Sequence, residues 1–227
     1  MKNYSGKYPL DVQQVKELDR AAKKIGFSER ELIENASSNL FCIIESLRLG
    51  KKALVVSGRG NNGADVLSCA RKMASRGMEV EIAVLEERPL KEEAFWQKRA
   101  LEGCGIKINS IKKDNTRLLR EMLNTCDFIL EGIFGIGLKG KADAFSQEVI
   151  GIINSSGKKI ISCDVPSGLS AQEGTIQGES IRADYTITFI GAKKGFFLNK
   201  GPKMCGEIFV ADIGVSREIL ERIIDDG

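Results

Sequence analysis

The sequence predicts an α/β protein: a doubly wound, mainly parallel sheet with helices on both faces, preceded by a helical arm. Three observations carry that expectation. Short continuous apolar runs such as Ala53-Leu54-Val55-Val56 recur along the chain, as in strands buried on both faces. Segments with apolar residues at helical spacing separate these runs, so strand and helix alternate. Loops rich in glycine follow several of the runs, where an open sheet of this kind presents its ligand-binding edge.

The elements follow in order. In residues 11–24, Val12, Val15, Leu18 and Ala22 make one apolar stripe and predict a helix. Ser28 followed by Glu31 forms a capping box that starts a second helix, expected to run to about Leu49 and stop at Gly50. Residues 53–56 read as a central strand, 58–63 as a turn, and the next segment as a helix to about Arg76. Strands are expected at 80–85, 106–108, 128–130, 159–163, 185–189 and 207–210, with helices at 92–102, 116–124 and 146–154. No repeat or linker interrupts the chain. One unit over 1–227 is expected, with an arm at 1–50, a core at 51–215 and a tail at 216–227.

Composition narrows the chemistry. Lys and Arg number 34 against 31 Asp and Glu, a net charge of +3, too even for nucleic acid or an anionic membrane as the main partner. Histidine is absent, which excludes Ser-His-Asp and Cys-His catalysis, histidine metal sites and a histidine proton shuttle. Acid–base chemistry falls to carboxylates, Lys, Tyr, Cys or water. The six cysteines are far apart and include no C-x-x-C, so free thiols in a reducing, cytoplasmic setting are expected, with Cys69, Cys126 and Cys163 buried. The start of the chain has no apolar core of a signal peptide, and no apolar run approaches the roughly 18 residues of a membrane span.

Three loops at strand ends are candidates for function. In the first, Gly58, Gly60 and Gly63 match G-x-G-x-x-G between a strand and a helix, whose first amides suit a phosphate. Glu86, after the next strand, is then placed to meet a ribose hydroxyl. The same loop also reads as a tight turn capped by Asn and Asp. Asn61, Asn62 and Asp65 put amide oxygens and a carboxylate where a dinucleotide loop has small residues. In the second, four glycines lie in the ten residues that start at Glu131, which lets backbone approach a ligand. There Lys139 or Lys141 is placed to meet a phosphate or a reacting centre, or is simply solvated. In the third, Asp164 ends an apolar strand ahead of Pro166 and Gly168; it reads as an acid–base group or as a turn residue. Lys193, in a Phe189-x-x-x-Lys193-x-Gly195 segment, reads as a surface or structural lysine, with phosphate support as the other option. Trp96 reads as packing.

Taken together, the ordered loops resemble the YjeF N-terminal-domain family, whose enzymes are NAD(P)HX epimerases. The resemblance spans nearly the whole chain: the opening segment from Val15 to Ala22, the loop from Gly60 to Asp65, Phe134-Gly135-Ile136-Gly137-Leu138, Asp164-Val165-Pro166-Ser167-Gly168-Leu169, the Phe189 to Gly195 segment and the closing Gly206 to Gly214 stretch. It implies a Rossmann-like fold and an isomerase that interconverts R and S forms of hydrated NADH or NADPH. A separate ADP- or ATP-dependent dehydratase would consume the S form. It also implies a potassium ion bound by Asn62, Glu131 and Ser167. Substrate would contact Asn61, Asn62, Gly63, Ala64 and Asp65, the loop residues Gly135, Ile136, Gly137, Leu138, Lys139, Gly140 and Lys141, and Asp164. Asp164 is the expected catalytic acid–base group, with Lys139 as helper, and a homodimer is the expected assembly. The chain departs from the family pattern at Ala64 and Val66, where glycines are usual, and at Glu131, where Asp is usual. Val66 is expected to narrow the pocket or to hinder backbone approach. A non-catalytic nucleotide-binding or scaffolding relative, and an oxidoreductase using the three glycines, are the competing readings.

Overall fold

The structure is a computed structural model describing residues 9–138, 140–216 and 218–219. Seven strands form one sheet: β1 (Lys52–Ser57), β2 (Glu79–Leu85), β3 (Ile108–Ile111), β4 (Phe128–Gly132), β5 (Lys159–Cys163), β6 (Tyr185–Phe189) and β7 (Glu207–Ala211). The helices are α1 (Val12–Lys24), α2 (Glu29–Leu47), α3 (Asn61–Ser75), α4 (Glu92–Gly103), α5 (Thr116–Thr125), α6 (Ala144–Asn154) and α7 (Gly201–Met204). The strand order is β3-β2-β1-β4-β5-β6-β7, and every adjacent pair is parallel. The order reverses between β1 and β4, the switch point where an open sheet offers a crevice beyond its strand ends.

The continuous apolar run of β1 has a direct cause. Val55 and Ala53 enter the core under α2 and α3, while Leu54 and Val56 enter a second core with α5 and α6. Successive side chains point to opposite faces, so a strand covered on both must be apolar throughout.

The arm is part of the main body. Asp11 caps α1 in a capping box with Gln14. The Leu10 N–H donates to the Ala192 carbonyl at 2.8 Å, and the Lys194 N–H donates to the Leu10 carbonyl at 2.8 Å. Val15 and Leu18 pack with Leu10, Ile136 and Ile190.

Several expectations are corrected. α2 ends at Leu47, before Gly50, because Arg48 itself takes the left-handed cap at φ 52°. β3 lies at 108–111, later than 106–108, where it pairs with β2 from Ile82↔Ile108 onward. The short 3-10 turn Lys194–Phe197 and α7 were not anticipated; both are too short for a periodic signal. Trp96 is 52% exposed, and the Arg30 guanidinium lies over its ring at 4.2 Å, a surface cation–π contact. Cys69, Cys126 and Cys163 are buried as expected, and all six cysteines are unpaired. The expected tail at 216–227 falls mostly outside the described residues.

Candidate active site

A cleft of about 520 Å³ opens beyond the ends of β1, β4, β5 and β6, walled by α1, α2 and the start of α3. Of the expected substrate residues, Asn61, Asn62, Asp65, Gly135, Ile136, Gly137, Leu138 and Asp164 line it. Gly63, Ala64, Gly140 and Lys141 do not. Gly63 is packed so that a Cβ there would stand 2.0 Å from the Gly58 carbonyl oxygen, so its role is close turn–helix approach. Ala64 is fully buried in a small cluster with Ile33 and Ala94. Gly140 and Lys141 are exposed, and the Lys141 side chain lies against Gly178. Lys139 lies outside the described residues. Glu86 does not line the cleft; its carboxylate is paired with Lys98 at 2.6 Å.

The carboxylate of Asp164 is the centre of one wall. It follows β5 directly at φ 61°, a left-handed conformation that aspartate tolerates better than most residues. Its N–H stays in register by donating to the Ile187 carbonyl at 2.8 Å. Oδ1 accepts from Lys193 Nζ at 2.6 Å and from Thr188 Oγ1 at 3.2 Å. Lys193 is not on the surface: its side chain is 0% exposed, against 14% for Asp164. Nζ also donates to Thr188 Oγ1 at 2.6 Å and to the Phe189 carbonyl at 2.9 Å. A buried ammonium with three acceptors, one of them a carboxylate, meets the conditions under which a buried charge is tolerated. Sequence reasoning undervalued Lys193; its place just past a late strand, four residues after Phe189, was the available signal.

Beneath the loops lies a second carboxylate. Glu131 is fully buried and accepts four hydrogen bonds: from Ser162 Oγ at 2.5 Å, Ser167 N at 3.1 Å, Ser167 Oγ at 2.6 Å and Ile133 N at 3.2 Å. Burial raises its carboxyl above the ordinary glutamate value, and the Ser162, Ser167 and Ile133 donors pull it back. The three residues expected to hold potassium do converge. Asn62 Nδ2 donates to the Phe134 carbonyl at 2.9 Å and the Cys163 carbonyl at 3.1 Å, while Ser167 Oγ lies 3.2 Å from the same Phe134 carbonyl. Asn62 Oδ1 is buried with no donor. The buried, unpartnered Asn62 Oδ1 is a hard oxygen donor of the kind an alkali cation takes, whereas the Glu131 oxygens already accept four hydrogen bonds. Among the described residues, no group of three or more His, Cys, Asp or Glu side chains is placed to hold a metal ion.

Asp65, one turn into α3, is 9% exposed, and none of the described residues donates a hydrogen bond to its carboxyl. Burial, then the charges of Asp164 and Glu29, hold it well above the ordinary aspartate value, opposed by Lys72. Val66 does not narrow the cleft. It is fully buried, and a Cβ on Gly132 would stand 2.6 Å from Val66 Cγ1, so the bulk of Val66 is accommodated by the bare backbone of β4.

A parallel, doubly wound sheet with a cleft at its switch point defines a Rossmann-like α/β protein. The YjeF-related protein N-terminus family matches residues 29–195, and the chain belongs to that family. It is 35% identical over 214 residues to a protein of Thermofilum pendens named bifunctional NAD(P)H-hydrate repair enzyme Nnr, covering 92% of this chain and 41% of that one. It is 32% identical over 219 residues to a protein of Elusimicrobium minutum named NAD(P)H-hydrate epimerase, covering 93% and 97%. The chain therefore spans about two fifths of the bifunctional relative and nearly all of the epimerase. The crystal structure of yeast ynu0, YNL200c, shares the fold with a TM-score of 0.82 at 20% identity, covering 95% of this chain and 93% of that one.

Proposed function

We propose that this chain is an NAD(P)H-hydrate epimerase, exchanging the R and S forms of hydrated NADH or NADPH. Its family membership and full-length likeness to a protein named for that activity support the reading. The single structural observation behind it is the Lys193-paired carboxylate of Asp164 opening into a cleft with the start of α3 and residues 135–138.

The hydrated ring carries a hydroxyl on a carbon bonded to nitrogen. When the C–O bond breaks, its electron pair leaves with oxygen, a proton makes water, and the nitrogen lone pair forms a C=N bond. Water then adds on the other face and gives up a proton. Ring opening and reclosure reaches the same end. Either route needs proton transfer at oxygen, and Asp164 is the acid–base group within the cleft. The first amides of α3 offer a place for substrate phosphate. Lys139 remains the proposed helper.

In this reading Asn62, Glu131 and Ser167 hold a potassium ion, which supplies fixed positive charge beneath the loops. A dehydratase that consumes the S form is the functional partner, supported by the name of the bifunctional relative. A homodimer and a cytoplasmic setting complete it. The test is chromatographic R/S exchange with purified protein and each hydrate, without ATP. Exchange well above the spontaneous rate is expected; the background rate with folded protein would sink the reading.

A further inference from the structure

Two carboxyls share the cleft, and their surroundings differ. Asp164 reaches it from the end of β5 with the buried ammonium of Lys193 against Oδ1. Asp65 reaches it from α3 with no donor from any described residue. The cation that favours its charged form, Lys72 on the same helix, is held by Glu34 at 2.7 Å and by Ser37 and Ser68. The other titratable groups that face Asp65 are Glu29 from α2, Asp164, and the Cys69 and Cys163 thiols, which burial raises. A largely buried carboxyl at the cleft wall, without protein donors and beside anions, is favoured in its neutral form. Paired carboxyls whose environments diverge in this way take opposite roles in proton transfer.

We propose that Asp65 is the proton donor to the departing hydroxyl and Asp164 the acceptor from the entering water, with Lys193 as the positioning residue that holds Asp164 Oδ1 at 2.6 Å. This rests on the epimerase reading and narrows the part given to Asp164. The step balances. The Asp65 proton goes to the hydroxyl as the C–O bond breaks, and water leaves. A second water forms the new C–O bond and passes its proton to Asp164. The enzyme then holds Asp65 as the anion and Asp164 protonated. That state is primed for the reverse exchange, or returns to the first by proton transfer through water.

The assignment can be read without turnover. Carbon-13 carboxyl NMR on the whole protein, without substrate, is expected to show Asp65 titrating above the ordinary aspartate range and moving back toward it in Asp164→Asn. Titration of Asp65 within the ordinary range overturns the proposal. In exchange assays, Asp65→Asn is expected to lose about 10²–10⁴-fold in kcat. The wild-type rate should decline on the alkaline side as Asp65 loses its proton, and this decline should vanish in Asp65→Asn. Lys193→Met should lower kcat with little change in KM, and Lys193→Arg should restore part of it; an equal loss in both variants, or a change confined to KM, rejects the positioning role. If wild type exchanges and Asp65→Asn is equally fast, the proposal falls while the epimerase stands. If wild type does not exchange, the epimerase reading falls, and the NMR titration still decides the state of Asp65.

Discussion

Glu131 and Asp65 are both buried carboxyls beside one cleft, and they sit in opposite kinds of surroundings. Glu131 lies beneath the loops with four donors on its two oxygens, tying β4, β5 and the turn at Ser167 together. Asp65 lies in the wall with none. Burial raises both, but only Glu131 is pulled back by hydrogen bonds. Four donors make the Glu131 carboxyl a tie between chain segments, whereas the Asp65 carboxyl, with no donor among the described residues, is left to water or a ligand in the cleft. The contrast can be tested by changing each group and its neighbours.

The largest effect is expected at Asp164. Asp164→Asn should lose about 10²–10⁴-fold in exchange, the usual worth of a positioned acid–base group. It also leaves the fully buried Lys193 without its counter-ion, and breaking a buried pair costs about 3–5 kcal/mol. The variant should therefore melt well below wild type in a thermal scan, even where its circular dichroism at low temperature is normal. An unchanged melting temperature would show that the pair is not buried in solution.

Glu131→Gln comes next. A backbone N–H points at each carboxylate oxygen, from Ser167 and from Ile133. Gln offers only one acceptor, so one buried N–H loses its partner, at a cost of about 1–3 kcal/mol. Potassium should raise the melting temperature of wild type by mass action and raise that of this variant less. An equal response in both would remove Glu131 from the cation site.

Gly132→Ala probes the same strand end. The added Cβ would meet Val66 Cγ1 and the Asn62 carbonyl oxygen, each at 2.6 Å. Overpacking of this kind costs about 1–3 kcal/mol. Combining it with Val66→Ala should relieve part of that loss, and denaturant melts of the four-member cycle measure the coupling. Strict additivity would mean that the two sites do not touch.

Asp65→Asn should move stability in the other direction from Glu131→Gln. A carboxyl whose folded value lies above its unfolded value near 3.8 binds more proton in the folded state, so stability is lost as pH rises through that window. Asn removes the loss. The variant should melt above wild type at pH 8, with the gain shrinking as pH falls from the raised folded value toward 3.8 and no further change below it. A variant less stable than wild type at pH 8 would contradict the unsatisfied state of Asp65.

The smallest effect is expected far from the cleft chemistry, at Glu34. Burial raises its carboxyl, and Lys72, Arg71, Ser68 and Gln97 outweigh that and bring it to about 2. Its folded value lies below its unfolded value near 4.5, so its contribution is present above 4.5 and lost as pH falls toward 2. Glu34→Gln should flatten that part of the acid limb in a pH series of melts. The side chain is 36% exposed, and solvent screening keeps the effect modest.

Much of this architecture was legible from local pattern. The apolar runs of β1 and β5 identified strands, because a strand covered on both faces needs apolar residues at every position. Ser28 and Glu31 marked the start of α2, because a capping box needs only residues three apart. The ordered loops around Asn61, Gly135 and Asp164 pointed to the cleft, since strand ends are where such a sheet binds its ligands. Lys139 is outside the described residues, and Ala64 and Lys141 do not line the cleft, since adjacency along a loop does not say what a side chain packs against.

What the sequence determined by itself is the alternation of elements and the order of its loops, since both depend on neighbours a few residues apart. The tertiary structure alone decided the state of each charged group. Lys193 meets Asp164 across 29 residues, and Glu131 meets Ser162 and Ser167 across 31 and 36. Asp65 is defined by the donors it lacks. The free energy of a charge depends on burial and on partners within a few ångströms, and only the folded chain brings those partners together.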